Sequence, residues 1–145
     1  MQKNKTKTYR IQISAATENL EIIRGFIQQV ARKAGFNTEQ IDQIKLAVDE
    51  ACTNAIKHAY HFDASQMIDL KIQLCSDKIE IIITDYGPGF DPQNLSQPDL
   101  NKNVKKGKPG GLGIHLMKTL MDRVDFYIIP GKRTEVHLIK YRTSH

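Results

Sequence analysis

Glu50, Asn54 and Lys57 follow one another at intervals of four and three in the run 46–60, which contains no glycine or proline. Residues three and four apart are neighbours on a helix surface, so this spacing sets a carboxylate, an amide and an ammonium along one edge. A carboxylate can accept a proton, an amide oxygen suits a hard cation such as Mg²⁺, and an ammonium attracts phosphate. Most charged helix faces are simply solvated. This edge becomes a candidate site because of two glycine-bearing segments that follow, 84–90 and 109–114.

In the first segment Asp85 ends an apolar run, where an ionised carboxylate is costly unless something pairs with it. Gly87 and Gly89 flank Pro88 and let the backbone turn sharply and lie against a flat ligand where a Cβ would clash; without Asp85 the run reads as a plain turn. In the second, Gly110, Gly111 and Gly113 open a helix, an arrangement in which free N–H groups and the positive helix end meet phosphate. Neither familiar phosphate loop fits. Gly107-Lys108 is followed by Pro109 rather than Ser or Thr, and Gly111-Leu112-Gly113 lacks the third glycine of a dinucleotide fingerprint.

These residues need elements to hold them. Ile44, Val48, Ala51, Ala55 and Ala59 recur at helical spacing and form the stripe that a helix over the run 46–60 buries against a sheet. Residues 8–13 alternate as a strand, and 18–34 keep a helical period that Gly35 stops. Asn37 with Gln40 fits a capping box, with Thr38 as the other candidate cap. Alternation in 68–74, a turn at 76–78 and the run 79–84 make an antiparallel hairpin. The run Ile81-Ile82-Ile83 has no polar face, so this strand is expected to be central and covered on both sides. Residues 87–110 show no periodicity and hold four of the chain's five prolines, which reads as a lid at about 90–110. Helical spacing returns at 112–122, and strands at 124–129 and 134–141 finish the chain. The order predicts an α+β two-layer sandwich: a mixed, largely antiparallel β-sheet with helices on one face.

The three segments together resemble the asparagine box and two glycine boxes of the gyrase, histidine-kinase and MutL ATPase superfamily, the Bergerat fold. The phrase Glu50-Ala51-Cys52-Thr53-Asn54-Ala55-Ile56-Lys57-His58-Ala59-Tyr60 most resembles the bacterial anti-sigma factor serine kinases. That resemblance implies an Mg-ATP-dependent protein serine/threonine kinase. Such a kinase phosphorylates a small anti-anti-sigma antagonist of STAS type and sequesters a sigma factor, commonly as a homodimer. It makes Glu50 the base, Asn54 the Mg²⁺ ligand and Asp85 the acceptor of the adenine 6-amino group; a carboxylate repels the guanine carbonyl at that place. Gly87, Gly89, Gly110, Gly111, Leu112 and Gly113 would cradle the nucleotide, with Lys57 near phosphate. Lid residues Lys102, Lys105, Lys106 and Lys108 are either phosphate contacts or a solvated basic loop. Thr134 would help hold adenine through water, although Gly131-Lys132-Arg133-Thr134 puts two basic residues where the family has glycine directly before threonine. His58 and Tyr60 read as packing residues, and His115 as a surface histidine.

Two alternatives stay open: the catalytic ATP-binding domain of a histidine-kinase-type system, and a non-catalytic ATP-dependent module that binds a partner protein. Bulk properties exclude other classes. At 145 residues with 40% apolar and 26% charged, the chain reads as one globular domain over 1–145, with a flexible N-terminus at 1–7. No apolar run reaches the roughly 20 residues of a spanning helix, and no signal-peptide core follows the basic start. A cytoplasmic protein without membrane or direct nucleic-acid binding is expected. The formal charge of +5 is dispersed without aromatic interleaving. Cys52 and Cys75 lack metal-ligand spacing and read as buried apolar residues.

Overall fold

The structure is a computed structural model that describes residues 6–87 and 109–142. Gly89, Lys102, Lys105, Lys106, Lys108 and the rest of the expected lid up to residue 108 lie outside the described residues. The order of elements is β1 (Lys7–Ser14), a 3₁₀ turn (Thr17–Asn19), α1 (Leu20–Lys33), α2 (Thr38–Asn54), a π-helical turn (Ala55–Ala59), β2 (Met67–Leu74), β3 (Lys78–Asp85), α3 (Pro109–Leu120), β4 (Arg123–Ile129) and β5 (Arg133–Tyr141). The strands form one sheet in the order β1-β2-β3-β5-β4. Every described pairing is antiparallel, the stricter form of the expected sheet. Strand β1 begins at Lys7, inside the stretch expected to be flexible, and α3 begins at Pro109, ahead of the expected residue 112.

Alternate residues of each strand face the helices, as a period of two requires. Ile68, Leu70 and Ile72 of β2, Ile79, Ile81 and Ile83 of β3, and Val136 and Leu138 of β5 meet Ile23 and Ile27 of α1 and Ile44, Val48 and Ala51 of α2 in one core. All five stripe residues of α2 and its π extension are buried as their spacing predicts. The structure departs in part from the expectation for Ile81-Ile82-Ile83. Strand β3 is central, but burial alternates along it and Ile82 is only half-buried, on the face away from the helices. Its cross-strand neighbours are Lys71 and His137, whose aliphatic and ring portions flank the isoleucine, and no second helical layer covers it among the described residues.

The link between α1 and α2 is set by its caps. Gly35 takes φ +92°, the Gly35 N–H donates to the Arg32 carbonyl at 3.0 Å, and the Phe36 N–H donates to the Ala31 carbonyl at 3.2 Å. This is a Schellman ending. Two residues on, the Asn37 side chain accepts from the Gln40 N–H at 2.8 Å while Gln40 Oε1 accepts from the Asn37 N–H at 3.1 Å, closing the capping box that starts α2. The two helices are then tied by Arg24 to Asp49 at 2.9 Å and Lys45 to Gln28 at 2.8 Å. Since a Cβ is strained at the φ of Gly35, Gly35→Ala is expected to cost about 1–2 kcal/mol of stability. Urea unfolding measures this, and an unchanged midpoint would show that the left-handed cap is dispensable.

Candidate active site

Helix α2 buries its small and branched residues against the sheet, which leaves Glu50 and Asn54 on another side, half-buried. What covers them is the first turn of α3. Gly113 is buried there, and a Cβ at that position would lie 2.7 Å from Glu50 Oε1, 3.4 Å from Asn54 Nδ2 and 3.6 Å from Asn54 Oδ1. Only glycine lets the backbone of α3 come this close. A carboxylate, an amide oxygen and the opening of a helix therefore converge, although they lie about 60 residues apart in sequence. Gly110, Gly111 and Leu112 belong to the same helical turn by their backbone.

Lys57 departs from the predicted edge. Beyond Asn54 the helix widens into a π turn, closed by the Tyr60 N–H donating to the Ala55 carbonyl at 3.0 Å. One inserted residue rotates later side chains by about 100° out of α-helical phase, and Lys57 is exposed. His58 is exposed as well, contrary to the packing role expected of it; partial burial, then Lys57 and His61, lower its pKa. Neither departure is visible in the side-chain periodicity.

The second cluster sits at the end of the sheet. Asp85 is the last residue of β3 and faces the helix side, 6% exposed. Its carboxylate accepts from the Gly87 N–H at 3.2 Å. Burial raises the pKa of this carboxyl, and that one N–H only partly offsets the shift. Directly opposite in register on β5 stands Thr134, 2% exposed. Its Oγ1 is buried without a hydrogen-bond partner among the described residues. An under-satisfied carboxylate facing an orphaned hydroxyl fits a ligand that presents an amino donor and a neighbouring polar group, as the adenine edge does. The two-residue departure from the family pattern before Thr134 thus leaves it opposite Asp85. Gly87 also has a reason internal to the protein: a Cβ there would meet the Ala59 carbonyl oxygen at 2.8 Å.

The sequence reading missed how the two clusters are joined. Tyr60, expected only to pack, is 5% exposed and donates its hydroxyl to the Met67 carbonyl at 2.6 Å while accepting from the Tyr86 N–H at 2.6 Å. Cys52 is inert: burial, reinforced by Asp49, pushes its thiol pKa up to about 12. Cys75 is half-buried and also free. His115 is exposed as expected. Among the described residues no cluster of His, Cys, Asp and Glu could hold a metal ion by itself, and no helix is long and apolar enough to cross a membrane. A cation at Asn54 would need oxygens from a bound phosphate, which is the usual habit of Mg²⁺.

Comparison with known proteins bears on the family and the fold. The chain is 36% identical to the serine-protein kinase RsbW of Bacillus subtilis over 126 residues, 84% of this chain and 79% of that protein. It is 36% identical to the RsbW of Halalkalibacterium halodurans over 129 residues, covering 86% and 78%. Among solved structures, the RsbU and RsbW domains of a Mycobacterium tuberculosis protein superpose with a TM-score of 0.68 at 16% identity, over 96% of this chain and 34% of that one. A blue-light activated histidine kinase from Erythrobacter litoralis superposes with a TM-score of 0.50 at 17% identity, over 86% and 60%. These two likenesses establish the fold. Residues 13–140 match the histidine kinase-like ATPase domain, and the chain belongs to that family.

Proposed function

We propose that this protein is an ATP-dependent protein serine/threonine kinase, acting as an anti-sigma factor on a small STAS-type antagonist and a sigma factor, and working as a homodimer. The observation that carries the reading is the convergence of Glu50 and Asn54 on Gly113 at the start of α3. A pure binding module has no use for a carboxylate held at the place where phosphate meets a helix end. The relatives named serine-protein kinase support the same reaction, and the antagonist, the sigma factor and the dimer rest on the resemblance to anti-sigma kinases.

In this reading Asp85 accepts from the adenine 6-amino group and Thr134 offers its hydroxyl beside it. The phosphates lie toward the free N–H groups of α3, where the helix end favours negative charge. Gly89, Lys108, Gly110, Gly111 and Leu112 keep their proposed places around the nucleotide, whereas Lys57, turned off the Glu50–Asn54 edge, would meet phosphate only from the exposed side. Asn54 would hold Mg²⁺ together with phosphate oxygens, and the ion supplies charge neutralisation for the transferring group. Glu50 accepts the proton of the substrate serine as its oxygen bonds to the γ-phosphorus. The bond from that phosphorus to the β,γ-bridging oxygen breaks, and ADP leaves with the electron pair.

Glu50→Gln should keep ATP affinity and lose about 100-fold or more in transfer of labelled γ-phosphate to an antagonist protein; undiminished transfer removes the glutamate from the mechanism. Asp85→Asn is expected to weaken ATP binding by about 10- to 100-fold, from the usual worth of a hydrogen bond to a charged group. Calorimetry decides this, and equal affinity rejects the adenine contact. Gly113→Ala should fold, because alanine favours helix, yet transfer about 100-fold more slowly by displacing the Glu50 carboxylate. Wild-type turnover in that variant would mean that the close approach is not catalytic.

A further inference from the structure

We infer that the Tyr60 hydroxyl is a positioning group that fixes Asp85 relative to Asn54 and so sets how sharply the site separates adenine from guanine. The inference deepens the proposed function and rests on its assignment of Asp85 to the base. Tyr60 lies six residues beyond Asn54 on one continuous helical run, and its hydroxyl reaches backbone at both strand ends that flank the site. It donates to the carbonyl of Met67, the first residue of β2, and accepts from the N–H of Tyr86, the first residue past β3, each at 2.6 Å.

The Tyr86 N–H is part of the planar peptide unit that contains the Cα of Asp85. Holding that N–H holds the plane from which the Asp85 side chain departs. A second contact works in the same direction: Gly87 lies so close to the Ala59 carbonyl that a Cβ would come within 2.8 Å. The exit of β3 is therefore seated on the end of the helix that carries Asn54. The π turn is what aims Tyr60 there, since an α-helical ending would rotate the ring by about 100°. Burial raises the pKa of the phenol and keeps it a donor at neutral pH.

A tyrosine that merely fills the core would leave nucleotide choice alone when its hydroxyl is removed; a positioning group would not. The test compares ATP and GTP affinities of the full chain by calorimetry for wild type, Tyr60→Phe, Asp85→Asn and a remote core variant, Ile72→Val, with thermal midpoints measured for each. Tyr60→Phe is expected to bind ATP about tenfold more weakly with little change toward GTP, from the loss of hydrogen bonding at that junction. Ile72→Val should lower the midpoint and keep the ATP-to-GTP ratio. A wild-type ratio in Tyr60→Phe, or an equal loss of ratio in Ile72→Val, overturns the positioning role. If Asp85→Asn itself keeps the wild-type ratio, the base assignment fails first and the Tyr60 inference falls with it. Should Tyr60→Phe not fold, amide hydrogen exchange on the native chain decides. Strong protection of the Tyr86 N–H that rises with ATP supports the inference, and exchange at the open-chain rate overturns it.

Discussion

The burial of the α2 stripe against the sheet is the constraint on which the rest of this protein depends. Ile44, Val48, Ala51, Ala55 and Ala59 all enter the core, and fixing that side of a helix fixes every other side. Glu50 and Asn54 then have one available direction, toward α3, and Gly113 meets them there. Placement of the Glu50–Asn54 edge thus follows from hydrophobic burial, which is strong and non-directional, while glycine sets the close approach. The alanines matter as much as the isoleucines, because small residues let α2 approach the strands that deliver Asp85 and Thr134.

The opposite face of the sheet is organised differently. No helix among the described residues covers it, and cross-strand polar contacts take over. His137 lies 2.8 Å from Glu80 through Nδ1 and 3.0 Å from Glu135 through Nε2, with its ring edge-on to Tyr127 at 4.7 Å. Gln12 and Tyr86 both donate to Asp69. Partly exposed polar contacts of this kind contribute little stability each. Their use is register: the β3 to β5 alignment that brings Glu80 to His137 is the same alignment that sets Asp85 opposite Thr134. A slip of one residue would turn Thr134 to the open face.

Much of this was legible in the residues. Helical spacing marked Glu50 and Asn54, alternation placed Asp85 at a strand end, and the capping box at Asn37 and the stop at Gly35 appeared where the structure has them. What stayed hidden depends on tertiary contacts. A π turn has no side-chain signature of its own, so Lys57 was assigned to an edge from which the widened turn removes it. Ile82 was misread because three consecutive isoleucines carry no alternation, even though the strand alternates in burial. Thr134 sat two residues out of the family pattern, and only the pairing of β5 with β3 brings it to Asp85. Tyr60 looked like core because a buried tyrosine is recognised by its ring, whereas its work here is done by the hydroxyl.

The Asp85–Thr134 pair also bears on stability. Burial raises the Asp85 pKa, so between the unfolded and folded values the native state binds more protons than the unfolded chain. Stability therefore falls as the pH rises through that window, opposite to the usual carboxylate, and above it the protein carries a buried charge that accepts from the Gly87 N–H. The orphaned hydroxyl of Thr134 adds a second cost in the same place. Both are relieved by a ligand that donates to the carboxylate, and a ligand bound only by the native state stabilises it by RT ln(1 + [L]/Kd). A hydrophobic pair at these positions would give a more stable sheet end with no means of recognising a base. The arrangement is understood as a local loss of stability that the core under α2 carries and that binding of the proposed nucleotide would offset.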